Sequence, residues 1–348
     1  MTKSNSGLFF EHFHVGMMLR HATPKTLTEG DVALYTALTG SRYALYSSDA
    51  FARDGDLDGA PIDPLLVFHT VFGKTVPDIS LNAVANLGYA YGRFLAPVFP
   101  GDTLCAISEV IGVKENTDGK TGIVYVRTTG LNQHGEVILS YVRWVMVNKA
   151  DPAAPAPKPV VPDLPDYVPA EDLPTPTPAW SKNYDQQLAG SPFGFEDFQI
   201  GECIDHIDGM TVEEAEHQLA TRLYQNTAKV HFNALVQAQS RHGKRLIYGG
   251  VVISLARSLA FNGLANAAEI LAINGGRHIK PLFAGDTIYA WSEVLDKAML
   301  NQGQGALRLR LIATKNVSAH AYPGVDHPDA ILEFDYWAAI PLRSSMVD

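Results

Sequence analysis

The stretch Arg93-Phe94-Leu95-Ala96-Pro97-Val98-Phe99-Pro100-Gly101-Asp102-Thr103-Leu104 returns 184 positions later as Arg277-His278-Ile279-Lys280-Pro281-Leu282-Phe283-Ala284-Gly285-Asp286-Thr287-Ile288. A second landmark keeps almost the same offset. Phe10-Glu11-His12-Phe13-His14-Val15-Gly16 returns 185 positions later as Phe195-Glu196-Asp197-Phe198-Gln199-Ile200-Gly201. Two landmarks so far apart that share one offset identify a tandem duplication, with a unit of roughly 150 residues, the size of one ordinary domain. Solenoid and propeller repeats have periods of only roughly 20–50 residues. The chain divides into a first unit over 1–150, a connector over 151–190 and a second unit over 191–348. Ten of the 21 prolines fall in 151–180, so the connector reads as extended and semi-rigid, long enough to cross a domain surface. Where the two copies differ is where chemistry is to be sought.

Composition sets the class. With 46% apolar and 18% charged residues each unit can bury a core of its own. Two cysteines, Cys105 and Cys203, build neither a disulfide framework nor a Cys-rich zinc site. The opening MTKSNSGLFFEHFH lacks the apolar run of a signal peptide and no later stretch suits a membrane span, so a cytoplasmic protein is expected. A formal net charge of −10 argues against nucleic acid as the main partner. Basic groups that meet an anionic substrate must then be local.

Both units repeat one order of elements. Amphipathic helices are expected over Glu29–Leu38 and Val212–Tyr224, then apolar helices over Pro64–Val71 and Gly250–Asn262. Pro64 suits a helix N-terminus, and Gly249-Gly250 mark a tight entry. Strand-type runs follow: Ile123–Thr128 and Val137–Val147 around the turn Asn132-Gln133-His134-Gly135, then Ala306–Thr314 and Ala330–Ile340 around a loop with Pro323-Gly324. One buried helix and an antiparallel meander predict an α+β unit whose sheet wraps the helix.

The buried helix, the sheet and the phrase Pro-x-Phe-x-Gly-Asp-Thr, present in both copies, resemble the hot-dog fold of MaoC-like hydratases and dehydratases. The tandem arrangement is similar to double hot-dog (R)-specific enoyl-CoA hydratases. Length, connector and the Phe-Glu-x-Phe-x-x-Gly openings look closest to mesaconyl-CoA (2-methylfumaryl-CoA) hydratases. The resemblance implies an acidic residue and a histidine five positions apart after the first helix, in the form Gly-Asp-x-Asn-Pro-(apolar)-His. The second unit reads Gln225-Asn226-Thr227-Ala228-Lys229-Val230-His231, which puts His231 at the histidine and Asn226 at the acid. The first unit reads Gly40-Ser41-Arg42-Tyr43-Ala44-Leu45-Tyr46, with Ser41 and Tyr46 at those places, so it looks catalytically dead.

Hydration of an enoyl thioester needs a base for water, fixed N–H donors for the thioester oxygen and a proton for the α-carbon. His231 is the expected base, Asn226 the holder of the water, and the N–H groups of Gly249 and Gly250 the oxyanion donors at a helix N-terminus. Asn226 cannot itself trade a proton, so either His231 makes both transfers or another carboxylate helps. His278 and Lys280 have no basic counterparts in the first copy and are candidates for the CoA phosphates or a substrate carboxylate; Arg257, a charge inside the apolar helix, is a candidate to hold a carboxylate deep in the site and could equally form an internal salt bridge. The inactive copy is expected to line the acyl and CoA site through Asp63, Pro64, Leu65, Leu66, Asn86, Leu87, Gly88, Tyr89, Pro97, Val98 and Phe99. Arg93 with Asp102, and Arg277 with Asp286, recur in both copies and read as pairs bracing the fold.

The function these expectations converge on is reversible hydration of a short, branched, carboxylated enoyl-CoA to a β-hydroxyacyl-CoA. A generic (R)-specific enoyl-CoA hydratase, a thioesterase and a non-catalytic acyl-thioester binding protein are the alternatives. No metal is expected, since His12, His14 and His21 make no convincing ligand set. No cofactor is expected either: hydration needs no redox partner and no dinucleotide fingerprint occurs. Further association into a homo-oligomer stays open.

Overall fold

In the computed structural model, which describes residues 3–178, 183–321 and 326–347, the two copies share one ten-stranded antiparallel sheet. The first copy gives β1 (Met18–Thr26), β2 (Ala83–Phe94), β3 (Thr103–Glu115), β4 (Thr121–Leu131) and β5 (Val137–Asn148). The second gives β6 (Cys203–Thr211), β7 (Glu269–His278), β8 (Thr287–Met299), β9 (Gln304–Lys315) and β10 (Ala330–Pro341). The order across the sheet is β1-β3-β4-β5-β2-β7-β10-β9-β8-β6, so each half mirrors the other about the β2–β7 pairing. Tyr89 faces Gly276 and Arg93 faces Ala272 in that central pair. This is the double hot-dog. The Pro323-Gly324 loop between β9 and β10 lies outside the described residues.

Each half wraps a buried helix. The four helices that matter are α1 (Glu29–Thr39), α2 (Pro64–Thr75), α3 (Glu214–Leu223) and α4 (Gly249–Leu259). From Leu65 to Thr75 every residue of α2 is buried, and so is every residue of α4 after Gly249, which is why neither carries a polar stripe. His69 of α2 and Ser254 of α4 stand 185 positions apart and bond to each other at 3.0 Å. Equivalent residues meet only on a symmetry axis, so the internal two-fold passes between them and the helices run antiparallel. Further along α2, Gly73 is a close-approach glycine: a Cβ there would run into the Tyr224 carbonyl oxygen just beyond α3. One turn of π-helix, Val76–Ser80, prolongs α2 toward the second copy's helix entry.

The duplicated Gly-Asp-Thr phrases make one turn twice. Phe99 N–H donates to Asp102 Oδ2 at 2.8 Å, and Phe283 N–H donates to Asp286 Oδ2 at 3.0 Å. Gly101 and Gly285 sit at φ +104° and +91°, where a side chain would be strained. The expected Arg–Asp pairs do not form. Arg93 stacks on Tyr91 at 5.0 Å, Arg277 bonds Glu333 at 3.1 Å, and each aspartate gives one oxygen to its turn and the other to a side-chain amide, Gln133 for Asp102 and Asn316 for Asp286. The buried histidine–serine pairs are duplicated as well: His21 with Ser108 and His206 with Ser292, both at 2.8 Å.

The Pro-rich connector is stitched over the sheet's outer surface. Val160 bridges Val113, Val168 N–H donates to Asn274 Oδ1 at 2.8 Å, and the Trp337 indole donates to Val168 O at 3.0 Å. Among the described residues no helix is long and apolar enough to cross a membrane.

Candidate active site

A cleft of about 550 Å³ runs between the copies, from the end of α2 to the start of α4. The second copy supplies Asn226, His231, Tyr248, Gly249 and His278; the first supplies Phe72, Val76, Ser80, Asn86, Tyr89 and Arg143.

His231 closes a four-residue helical turn, Lys229–Phe232. Its Nδ1–H donates to the Leu246 carbonyl at 2.9 Å, which fixes the tautomer and leaves Nε2 a free acceptor. Burial pushes its pKa down to about 4, against the pull of that carbonyl. The His231 imidazole is therefore neutral at physiological pH, with Nε2 able to accept a proton. Asn226 is buried, and its Oδ1 accepts from Ala228 N–H at 3.1 Å, so the side-chain NH₂ is what it can offer. The Tyr248 ring lies 5.4 Å from His231 and 5.7 Å from Phe72, joining the two copies' walls.

The two helix entries differ decisively. At α4 the residue before the helix is Tyr248, whose N–H is taken by His217 Nε2 at 2.9 Å, while no side chain caps Gly249 or Gly250. Their N–H groups stay unpaired at the positive end of the helix, with Gly249 on the cleft wall. At α2 the equivalent entry is closed: Asp63 Oδ1 accepts from Leu65 N–H at 2.8 Å, and Pro64 has no N–H. Ser41 donates to the other oxygen of Asp63 at 3.3 Å, and Tyr46 donates to Ala268 O at 3.4 Å. The mirror-image hollow lined by Tyr46, Pro64, Pro97 and Val98 shrinks to about 40 Å³.

Of the residues singled out in the sequence, Asn226, His231, Gly249, Asn86, Tyr89, His278 and Lys280 come together in the cleft. Gly250 lies one residue deeper, buried against Tyr248 and His69. His278 stacks its ring on Gly249, has a buried Nε2 without a partner, and is pushed down to about 4 by burial and then by His231. Exposed Lys229, Arg241 and Lys280 stand at the rim, a local basic group on an acidic chain.

The remaining expectations are corrected. Asp63, Pro64, Leu65 and Leu66, with Pro97, Val98 and Phe99, belong to the closed first-copy entry and do not line the cleft. The helices are antiparallel across the two-fold, so the first copy presents the far end of its helix to the site, not its entry. Leu87 and Gly88 are also absent from the lining; Gly88 is covered by Trp144. Arg257 points away, donating to the Ala267 and Ala268 carbonyls and stacking on Tyr43 at 4.0 Å. The sequence reading missed Arg143, Tyr248 and the segment Phe72–Ser80.

Comparisons with known proteins bear on the family and the fold. The family model described as Mesaconyl-CoA hydratase matches residues 1–177. The Beta-methylmalyl-CoA dehydratase of Chloroflexus aurantiacus is 60% identical over 348 residues, covering 98% of this chain and 99% of that protein. The Mesaconyl-CoA hydratase of Cereibacter sphaeroides is 59% identical over 344 residues, 97% of this chain and 99% of that one. Among solved structures, a putative MaoC domain protein dehydratase from Chloroflexus aurantiacus J-10-fl superposes with a TM-score of 0.96 at 59% identity, covering 98% of this chain and 99% of that one.

Proposed function

The chain belongs to the mesaconyl-CoA hydratase family, and from that premise we propose that it is a hydro-lyase interconverting mesaconyl-CoA and β-methylmalyl-CoA, with His231 as its base. One observation carries the assignment of roles: a neutral imidazole with a free Nε2 and an uncapped helix N-terminus share one cleft. Water held by the Asn226 amide gives a proton to His231 Nε2 as its oxygen bonds the β-carbon. Negative charge moves to the thioester oxygen, where the Gly249 N–H receives it. The proton on Nε2 then passes to the α-carbon, and no hydrogen or electron is left over. Dehydration is the reverse. The CoA phosphates suit the rim cations Lys229, Arg241 and Lys280.

The test follows loss of enoyl absorbance with mesaconyl-CoA and with crotonyl-CoA, in wild type and His231→Ala. General-base removal costs roughly 10²–10⁴-fold, so the variant should lose about that much with mesaconyl-CoA. Preference for crotonyl-CoA would point to a generic enoyl-CoA hydratase. Binding of both esters without turnover would leave an acyl-thioester binding protein.

A further inference from the structure

Arg143 is fully buried, yet among the described residues no carboxylate pairs with it. Its Nη2 donates to Thr75 Oγ1 at 2.8 Å and Ser80 Oγ at 2.9 Å, and its Nη1 reaches Asn86 Oδ1 at 3.4 Å. All three acceptors are neutral. The guanidinium lies 4.3 Å over the Phe72 ring, with Nε left without a partner. Beside it the Asn86 Nδ2 is a second buried donor without a partner. Both residues line the same cleft as His231 and Gly249. A buried cation without a counter-charge is costly, and one that lines a cleft can recover that cost by pairing with an anion bound there.

The two copies sharpen the point. Arg143 pairs across the sheet with Tyr89, and Tyr336 of the second copy pairs with Ile273, the counterpart of Tyr89. Arg143 and Tyr336 are therefore equivalent positions, as are Phe72 and Arg257. Each copy stacks an arginine on an aromatic across helix and strand, but in opposite order. Arg257 donates only through Nη2, to two backbone carbonyls, and lies away from the cleft, whereas Arg143 lines the cleft with its Nε unpartnered beside the unpartnered Asn86 Nδ2.

We infer that Arg143, with the Asn86 amide, receives the free carboxylate of the substrate and is the residue that selects a dicarboxylic enoyl-CoA over a simple one. The inference rests on the reaction proposed above. In mesaconyl-CoA the carboxylate is attached to the β-carbon, the atom that water attacks. An unpaired carboxylate there repels the incoming oxygen lone pair and weakens the thioester's pull. Held by Arg143, it is neutralised and pinned, so the β-carbon faces the water on His231. An uncharged chain would leave the guanidinium unpaired, which penalises the wrong substrate.

The test compares kcat/KM for mesaconyl-CoA and crotonyl-CoA in wild type, Arg143→Met and Arg143→Lys. Loss of one partner of a buried charge pair predicts that Arg143→Met loses roughly 10³-fold with mesaconyl-CoA while crotonyl-CoA is unchanged or improved. Arg143→Lys should regain part of the mesaconyl-CoA rate. An equal loss on both substrates, or no loss on either, overturns the inference and leaves the hydratase reading standing. A wild type that ignores mesaconyl-CoA fails that reading instead. Competition in the wild type needs no variant to fold: methylsuccinyl-CoA should inhibit roughly 10²-fold more tightly than butyryl-CoA, and equal inhibition by the two refutes the carboxylate receptor.

Discussion

Asp63 should be a residue whose removal stabilises the protein, and only above a definite pH. It is buried, and burial raises its pKa from 3.8 to about 6, against the hydrogen bonds from Leu65 N–H and Ser41. A carboxyl group with a raised folded-state pKa is protonated in the native state while ionised in the unfolded one. Between about pH 4 and 6 the native state binds more protons, so stability falls as pH rises through that window and is flat above it. A shift of about two units is worth about 3 kcal/mol, present in full at pH 8 and absent below the unfolded pKa. An asparagine at this position would copy the protonated acid: its Oδ1 can still accept from Leu65 N–H, and its NH₂ can meet Ser41. Asp63→Asn should therefore be about 3 kcal/mol more stable than wild type at pH 8 and equal to it near pH 4. For a chain of 348 residues that is a rise in Tm of about 4 °C at pH 8. Calorimetry at the two pH values measures it, and kcat/KM should not change, because Asp63 closes the entry that does no chemistry. A variant less stable than wild type at pH 8, or a pH-independent difference, would refute the reasoning.

Other expectations follow from the same geometry. With neutral His231 as the proposed base and its pKa depressed to about 4, the acid limb of kcat/KM, which reports the free enzyme, should fall near pH 4; a limb near 6.5 would mean another base. His69, His206, His217, His231 and His278 all have folded pKa values pushed down to about 3 or 4. Their unfolded forms take up protons first, so global stability should drop as pH falls from about 6.5 to 4, partly offset by Asp63 and Glu269, and urea melts across that range would show the slope. Gly249→Ala would drive a methyl group into the His278 ring beside the oxyanion donor, and steady-state kinetics should show kcat down by roughly 10²–10³-fold. Gly73→Ala would force α2 away from the Tyr224 carbonyl where the copies touch, with an expected loss of about 3 kcal/mol in a denaturant titration.

Much of the fold was legible because duplication leaves a register. The two Gly-Asp-Thr phrases sit in equivalent turns, and both apolar helices fall where the low polarity of Pro64–Val71 and Gly250–Asn262 put them, α2 running on to Thr75 and α4 stopping at Leu259, short of the non-helical Asn262. The window that ends in His231 was legible for another reason: its spacing to Gly249 is local, and local spacing survives folding. What failed was every inference needing the relative direction of α2 and α4. No sequence pattern encodes the antiparallel crossing at His69 and Ser254, so the first copy's helix entry was placed where its far end belongs. Arg143 was missed because Ser140-Tyr141-Val142-Arg143-Trp144 reads as a strand with one solvent-facing charge. In fact β5 is covered on both faces, and its arginine is among the largest fully buried side chains. A charge within an otherwise apolar run was the available signal.

Duplication also explains how such a site can be built. In a symmetric dimer every substitution occurs twice, so a buried arginine at one end of the cleft would recur at the mirror site. Two copies on one chain remove that constraint. The second copy keeps the open helix entry and His231, while the first closes its own entry with Asp63 and Pro64 and carries Tyr46 at the position of His231. If the first copy is freed from catalysis in this way, it can place Arg143 and Asn86 against the cleft that holds His231, which both residues line. A substrate with a thioester at one end and a carboxylate at the other is itself asymmetric, and it needs an oxyanion donor at one end and a cation at the other. The closed entry and the unpaired arginine are therefore two consequences of one division of labour. A chain carrying Arg143→Tyr and Phe72→Arg would impose the second copy's arrangement on the first. It should keep a folded core, because that pair already packs as Arg257 and Tyr336, yet lose its preference for a carboxylated enoyl-CoA. A doubly substituted protein that folds and still discriminates against crotonyl-CoA would show that selectivity lies elsewhere in the cleft.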